Sequence, residues 1–316
     1  LVLLFACARI GAMVTPFNWR LAPPEHARML ADAAPRVFFV EPDFTDQVAA
    51  MGDAVAGMQL IAMEPAPDGW QAYESLMATA TPLPAGHAGA GSDDGVLICY
   101  TSGATGVPKG AVLTQRALLF NAINSTHMCG MTGADRILTN LPMFHVGGLN
   151  IQTVPGLHAG ATIVLHDKFD PILTFEDLER EKITLAILVP AQIMAMTQMP
   201  QWAALDLSHL RFLSSGSTLV PHSLIRAVHD KGVPVLQVYG STETAPIATY
   251  GTMDDAERKM GSAGKAALHC QVRVVDDGGA DVAAGTSGEI VVRGPSVMTE
   301  YWRAPELTAE ALKDGW

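Results

Sequence analysis

The stretch Tyr100–Gly110 combines glycines, hydroxyl side chains and one lysine directly after an apolar run. Glycines let a backbone turn tightly, so that successive N–H groups can face an anion. The residues that we expect to contact phosphate are Thr101, Ser102, Gly103, Thr105, Gly106 and Lys109. The pattern differs from the GxxxxGK[ST] phosphate loop, because a proline precedes the lysine and a glycine follows it. A Gly/Ser-rich surface turn is the simpler alternative, but the lysine and the added hydroxyls favour phosphate binding.

A second segment, Gln237–Thr244, follows another apolar run and carries an aromatic ring, a glycine, a threonine and a carboxylate. The Tyr239 ring can stack on a base, Gly240 lets the backbone approach a ligand, and Thr242 can donate to a phosphate. Glu243 can hold Mg²⁺, a hard cation that prefers oxygen ligands and phosphates. A solvated glutamate at a strand end is common, so the prediction depends on both segments occurring in order.

Together the two segments resemble the signature loop and the YGxTE motif of the adenylate-forming superfamily, which includes acyl-CoA synthetases, luciferases and peptide-synthetase adenylation domains. Ala104 departs from the serine or threonine usual in that loop. The resemblance covers nearly the whole chain and is strongest to acyl-CoA synthetases of the fatty-acid–CoA ligase type. It implies that a carboxylic acid is activated by ATP as an acyl-adenylate and then joined to coenzyme A. Lys109, Thr242 and Glu243 would be catalytic, with Glu243 also the Mg²⁺ ligand.

The same resemblance assigns roles to two segments between these motifs. Gly216, Ser217 and Thr218 would cover one face of adenine. His145, before a Gly-Gly pair, would gate the carboxylate of the acid, although a purely structural role for a single histidine is equally open. Members of the superfamily continue into a small C-terminal domain that this sequence lacks. We therefore expect a partial large domain, cut at both ends, which by itself could be inactive.

Three segments are candidates for the acid pocket: Met143–Gly148, the predicted helix 190–199, and the chain after Glu243. Their apolar side chains, and the lack of a lysine or arginine among them, predict a medium- or long-chain fatty acid, with an aryl or cyclic acid as runner-up. A carrier-protein-loading adenylation domain, a luciferase-like enzyme and a non-catalytic ATP-binding module remain alternatives.

Composition argues against nucleic-acid-binding, disulfide-rich and membrane-spanning proteins. The chain has 316 residues and a net charge of −12, which does not suit nucleic-acid binding. Its 4 cysteines are scattered, which predicts a reducing, cytoplasmic location without a disulfide framework. The apolar start, 1–14, is too short to span a bilayer and predicts a buried helix. The sequence leaves a homodimer open.

Apolar runs alternate with helical stretches through most of the chain, which predicts an α/β fold of helices around a mostly parallel sheet. The helix after 170 should be capped by Asp170 with Pro171 in its first turn. Predicted strands are 36–40, 96–100, 161–165, 184–189, 211–215 and 235–238; predicted helices are 24–33, 115–129, 190–199 and 221–231. Strands 272–275 and 289–293 predict a small β subdomain, so that we divide the chain into α/β subdomains at 1–265 and a β-rich subdomain at 266–316.

Overall fold

The computed structural model describes residues 1–84, 89–102 and 108–316, and at Ser102 the backbone alone. The helices in these residues are α1 (Val2–Ile10), α2 (Pro23–Ala33), α3 (Thr45–Ala49), α4 (Tyr73–Thr79), α5 (Gln115–Cys129), α6 (Val146–Gly148), α7 (Val154–Ala159), α8 (Pro171–Arg180), α9 (Pro190–Thr197), α10 (Gln201–Ala204), α11 (His222–His229) and α12 (Pro305–Ala311). A π-helical segment, Leu149–Thr153, joins α6 to α7.

The strands are β1 (Val37–Val40), β2 (Gln59–Ala62), β3 (Gln71–Ala72), β4 (Gly95–Ser102), β5 (Pro108–Thr114), β6 (Arg136–Thr139), β7 (Thr162–Leu165), β8 (Leu185–Ile187), β9 (Phe212–Gly216), β10 (Val235–Tyr239), β11 (Thr249–Tyr250), β12 (Lys265–Ala266), β13 (Gln271–Val275), β14 (Glu289–Arg293) and β15 (Glu300–Tyr301). The largest sheet has seven strands in the order β12-β11-β10-β9-β8-β6-β7. Strands β6 to β10 are parallel, and β11 and β12 run antiparallel at one edge.

A separate three-stranded sheet, in the order β15-β5-β4, carries the predicted phosphate loop. The loop connects the antiparallel strands β4 and β5, which pair Thr101 with Lys109. The strand before the loop was predicted, but β5 was not, because its Pro-Lys-Gly start has the composition of a turn. Lys109 is therefore held on a strand and not on the first turn of a helix.

Helices cover both faces of the large sheet because successive side chains of each strand point to opposite faces. On β9, Phe212 packs with Cys129 of α5 in one apolar cluster, whereas Leu213 packs with Ile225 of α11 in another. The predicted cap of α8 is present: the Asp170 carboxylate accepts the backbone N–H groups of residues 172 and 173 at 2.8 and 3.1 Å. The predicted α/β class with a mostly parallel sheet is confirmed.

The prediction that the N-terminal helix is buried was wrong. In α1 only Leu4 is buried, whereas Val2, Phe5 and Ile10 are exposed. Helix α1 is apolar around its circumference, but one side alone packs against β4 and its neighbours, so the remaining apolar side chains face outward.

Near the end of the chain, the two predicted strands are present as β13 and β14, which pair in antiparallel fashion with Gln271 opposite Arg293. Strand β15 then returns to the sheet of the loop and pairs Tyr301 with Ala111. The division of the chain at residue 265 stays a prediction. Within the described residues, no helix is both long and apolar enough to cross a membrane.

Candidate active site

The carboxyl ends of β9 and β10 lie side by side, because the two parallel strands pair Val238 with Gly216. In open α/β sheets ligands bind outside such strand ends. The side chain of Tyr239, the last residue of β10, is 42% exposed, and Ser217 and Thr218 beyond β9 are exposed too. The structure thus places these predicted base-contacting residues at one edge of the sheet, with the Tyr239 ring accessible for stacking.

Glycine at the two strand ends has a structural cause. A Cβ atom on Gly216 would lie 2.4 Å from the carbonyl oxygen of Val238, and one on Gly240 only 1.6 Å from that of Pro246. Side chains do not fit at such separations. Gly240 is therefore required for the chain to turn back so closely that Pro246 lies against it. This requirement is independent of the sequence-based prediction that Gly240 lets the backbone approach a ligand.

The chain after Gly240 forms a short 3₁₀ turn, Thr242–Thr244. The Ser241 N–H donates to Thr244 Oγ1 at 2.9 Å, and the Thr244 hydroxyl is 3.0 Å from the Pro246 carbonyl oxygen. Thr242 is buried in this turn, and Glu243 is partly exposed. The turn therefore presents the Glu243 carboxylate from a tightly bonded backbone.

Lys109 and Glu243 approach the same aromatic ring. The Lys109 ammonium lies 5.1 Å from the centroid of Tyr301, and the Tyr301 hydroxyl donates to Glu243 Oε1 at 2.6 Å. The Met298 N–H also donates to the Glu243 carbonyl oxygen at 2.8 Å. The two charged residues of the predicted motifs, far apart in the sequence, are thus brought together through Tyr301, a residue outside both motifs.

The Tyr301 phenol remains a donor across the physiological pH range. Burial raises its pKa well above the ordinary value, and the hydrogen bond to Glu243 and that group's negative charge raise it further. A neutral phenol donates one hydrogen bond to the carboxylate without neutralising it. The hydrogen bond from Tyr301 therefore orients the Glu243 carboxylate.

Helix α2 anchors the strands beside the loop. The Tyr100 hydroxyl donates to the Asp32 carboxylate, and the Trp302 indole N–H donates to the Asp32 carbonyl oxygen at 3.1 Å. The backbone N–H of Trp302 also donates to the Gly110 carbonyl oxygen at 2.7 Å. Residues on either side of the predicted phosphate loop are thus fixed to the same helix end.

His145 lies immediately before α6 and is exposed. Its Nδ1 accepts the Gly147 N–H at 3.0 Å, so the neutral ring carries its proton on Nε2. Although the residue is exposed, neighbouring groups displace part of the water around its ring, and this partial desolvation lowers the pKa of His145 below its ordinary value. The ring is consequently a neutral hydrogen-bond donor through Nε2 near pH 7.

A buried amide joins the chain just after one predicted pocket segment to another such segment. Asn121 of α5 donates from Nδ2 to the Asn150 carbonyl oxygen at 2.6 Å and accepts the Ile247 N–H on Oδ1 at 3.2 Å. The chain after His145 and the chain after Glu243 are thereby held against the same helix. Asn121 was missed by sequence reasoning, since a lone asparagine in a helix carries no motif.

The arginine side chain of Arg20 lies over the ring of Phe144, with its central carbon 5.8 Å from the centroid. It comes from outside the segments that the sequence assigned to the pocket, so those segments alone did not reveal a cation there.

Some predicted site residues lie outside the described residues: Gly103, Thr105 and Gly106, together with Ala104. Since ligands in open α/β sheets bind at the carboxyl ends of strands, we expect the loop tip to lie at one cleft with Gly216 and Glu243, and this stays a prediction. Within the ranges 1–84, 89–102 and 108–316, no group of three or more His, Cys, Asp and Glu side chains is arranged to hold a metal ion.

The sequence matches the family of AMP-binding enzymes over residues 1–302. It is 54% identical over 316 residues to the indoleacetate–CoA ligase of Aromatoleum aromaticum. The matched region covers 100% of this chain and 62% of that protein. It is 37% identical over 318 residues to the feruloyl-CoA synthase of an Amycolatopsis species, which covers 99% of this chain and 61% of that protein. This chain spans about three-fifths of the length of these relatives.

The fold is that of solved structures as well. The ATP-bound crystal structure of MatB from Rhodopseudomonas palustris is similar with a TM-score of 0.89 and 31% sequence identity, covering 99% of this chain and 61% of the other. The predicted resemblance to the adenylate-forming enzymes is confirmed by the family match, which extends over nearly the whole chain. This protein belongs to the family of AMP-binding enzymes.

Proposed function

We propose that this chain supplies the nucleotide site and the acid site of an ATP-dependent acid–CoA ligase. A carboxylate oxygen of the acid attacks the α-phosphorus of ATP, the bond to pyrophosphate breaks, and an acyl-adenylate forms. The thiol of coenzyme A then attacks the acyl carbon and AMP leaves. The observation that carries this proposal is the convergence of Lys109 and Glu243 on Tyr301.

The roles of the charged residues follow from the electrostatics of the reaction. The acid and ATP are both anionic, so their approach requires positive charge and N–H donors at the phosphates. Lys109 supplies a cation, and Thr242 supplies a hydroxyl at the turn that carries Glu243. Glu243 suits Mg²⁺ because this ion is commonly bound through one or two carboxylates plus the phosphates of a substrate. When bound, the ion would neutralise charge on the phosphate oxygens.

The remaining predicted residues divide between the two ends of ATP. Tyr239 stacks on adenine, with Gly216, Ser217 and Thr218 along the neighbouring strand end. The loop donors would be Thr101, Ser102, Gly103, Thr105 and Gly106. His145, neutral and donating through Nε2, orients the carboxylate of the acid without adding a full charge.

For the acid itself, the sequence pattern favoured a fatty acid, whereas the relatives favour an aryl acid. The names of both relatives specify acids with an aromatic ring, and one relative is 54% identical to this chain. The partly exposed side chains of Met143 and Phe144 suit a flat ring as well as an alkyl tail, whereas Val146 and Ile247 are fully buried in the core. We therefore place an aryl acid first and a medium- or long-chain fatty acid second.

The test is a pyrophosphate-release series on the full-length protein with indole-3-acetate, ferulate, benzoate, hexanoate, palmitate and acetate. We expect kcat/KM to be highest for an aryl acid and product analysis to show its CoA thioester. A preference for palmitate would support the second candidate instead. Binding of Mg·ATP without acid-dependent pyrophosphate release would indicate a non-catalytic nucleotide-binding protein, and acyl-adenylate without thioester would indicate a different acceptor, such as a carrier protein.

Matched variants connect the activity with the site. Lys109→Ala and Glu243→Ala should each lower kcat/KM at least tenfold, because each removes a charge placed at the phosphates. Lys168→Ala and Glu257→Ala remove exposed side chains of the same types elsewhere and should leave the rate unchanged. Equal activity in all four variants would refute the assignment of the site.

A further inference from the structure

We propose that Tyr301 is a positioning residue that separates Lys109 from Glu243 before the nucleotide binds, and so keeps both charges available to Mg·ATP. This inference rests on the proposed function and adds a residue that the nucleotide motifs do not contain. It assigns two tasks to one side chain: the hydroxyl orients the Glu243 carboxylate, and the ring binds the Lys109 ammonium through a cation–π contact.

Tyr301 contacts both charged residues, one through its ring and the other through its hydroxyl. Lys109 lies over the face of Tyr301, 5.1 Å from its centroid, while Glu243 accepts from the hydroxyl at 2.6 Å. In the described residues no salt bridge joins Lys109 to Glu243. A cation over an aromatic face gains a modest electrostatic attraction without a counter-ion. Lys109 therefore does not have to leave a carboxylate in order to reach a phosphate.

Tyr301 is held in place by backbone contacts on both sides. It pairs with Ala111, two residues beyond Lys109 on β5. Its own N–H donates to Thr308 Oγ1 at 2.9 Å, and its side chain is almost fully buried. The Met298 N–H meanwhile donates to the carbonyl oxygen of Glu243. Short strand β15 and the segment before it thus fix the tyrosine relative to both charged residues.

Removing the ring would change the electrostatics of the empty site. Lys109 and Glu243 would both lose the aromatic side chain that they contact, and direct pairing of their opposite charges would be favourable if the two side chains met. Each residue would then compete with its partner for ATP or for the metal ion. Removing the hydroxyl alone would leave the ring in place and free only the Glu243 carboxylate to reorient.

Two substitutions in the full-length protein separate these tasks, with Tyr250→Phe as the matched control. Tyr250 is 6% exposed, as is Tyr301, and its hydroxyl makes one hydrogen bond of 2.6 Å, to His127. Tyr301→Phe should raise the Mg²⁺ concentration for half-maximal pyrophosphate release by about 3- to 10-fold, the range expected for one hydrogen bond. Its melting temperature should change by no more than that of Tyr250→Phe, whose Mg²⁺ requirement should equal that of the wild type.

The second substitution is tested by binding and not by activity. In calorimetry with ATP and EDTA, Tyr301→Leu should bind ATP at least 5-fold more weakly than the wild type, because Glu243 now holds Lys109. Adding Glu243→Gln to Tyr301→Leu should restore most of that affinity, since it frees the lysine. A merely structural role for Tyr301 does not produce this rescue.

The outcomes distinguish this inference from the proposed function. If the wild type fails to bind Mg·ATP, the proposed function and the role of Tyr301 both fall. If the wild type binds Mg·ATP and releases pyrophosphate with an acid, but Tyr301→Phe has an unchanged Mg²⁺ requirement and Glu243→Gln gives no rescue, the role of Tyr301 alone is refuted.

Discussion

Gly240→Ala gives the clearest test of the strand end of β10, because its effect can be worked out from the backbone. The added Cβ would lie 1.6 Å from the Pro246 carbonyl oxygen and 2.8 Å from Thr244 Oγ1. Thr244 belongs to the turn that carries Glu243 and Pro246 follows that turn closely, and the nearest atom is backbone, so the chain around the turn has to move. Overpacking of this kind typically costs about 1–3 kcal/mol. Expressed fully in binding, that cost corresponds to a loss of roughly 5- to 150-fold in affinity for Mg·ATP.

The assay combines calorimetry with Mg·ATP and urea unfolding without nucleotide. Gly251→Ala is the matched control: this buried glycine follows β11, and its added Cβ would meet neighbours no closer than 3.5 Å. We expect Gly240→Ala to lose both stability and affinity, and Gly251→Ala to lose little of either. Lost affinity with an unchanged free energy of unfolding would contradict the clash with Pro246 and would indicate that Gly240 acts by contacting the nucleotide.

Three other contacts give further predictions. Burial tends to raise the pKa of Asp135, but hydrogen bonds and the Arg211 guanidinium outweigh this effect and hold the pKa below its ordinary value. The ionised Asp135 therefore stabilises the folded protein. This stabilisation is present above the pKa of the unfolded state, about 3.9, and is lost as pH falls through the pKa of the folded state. Asp135→Asn should therefore lower the free energy of unfolding at pH 7 by about 1–3 kcal/mol, a range reduced because Arg211 is partly exposed, and should flatten the acid limb of a urea-unfolding series. Thr114→Ala removes the oxygen that accepts the Ala117 N–H at 3.0 Å and should cost about 0.5–2 kcal/mol by the same measurement, with Thr114→Ser restoring most of it. Because partial desolvation lowers the pKa of His145, the ring should become protonated only at a pH below the ordinary pKa of histidine, and kcat/KM should fall there. His145→Gln is neutral at every pH and should remove this fall at low pH. An unchanged fall would assign it to another group.

The sequence was most informative where local signals and the final packing agree. Helix α5 was predicted with its observed bounds, and the Asp170 cap of α8 was predicted with its acceptor role, because both depend on residues close together in the chain. Strand β5 was missed for the opposite reason: its Pro-Lys-Gly start favours a turn, and pairing with β4 and β15 overrides that local preference. The exposure of α1 was missed because an apolar segment does not specify how much of it finds a partner.

Within the candidate site, motif residues were identified and their supports were not. Lys109, Tyr239 and Glu243 each sit in a segment with its own chemical pattern. Tyr301 and Asn121 have no such pattern, because their importance depends on contacts with residues distant in the sequence. A tyrosine in a short strand and an asparagine in a helix are each compatible with many structural roles, and only the tertiary arrangement selects one.

The arrangement of the sheets gives β15 a part in the proposed site although it is only two residues long. Lys109 belongs to the β15-β5-β4 sheet, whereas Glu243 follows β10 of the seven-stranded sheet. The distance between these charges therefore depends on how the two sheets meet, and Tyr301 with its hydrogen bond to Glu243 lies at that junction. Because side chains alternate along a strand, a slip of β15 by one residue against β5 would turn Tyr301 to the opposite face. The register that pairs Tyr301 with Ala111 is thus a requirement of the site as well as of the fold.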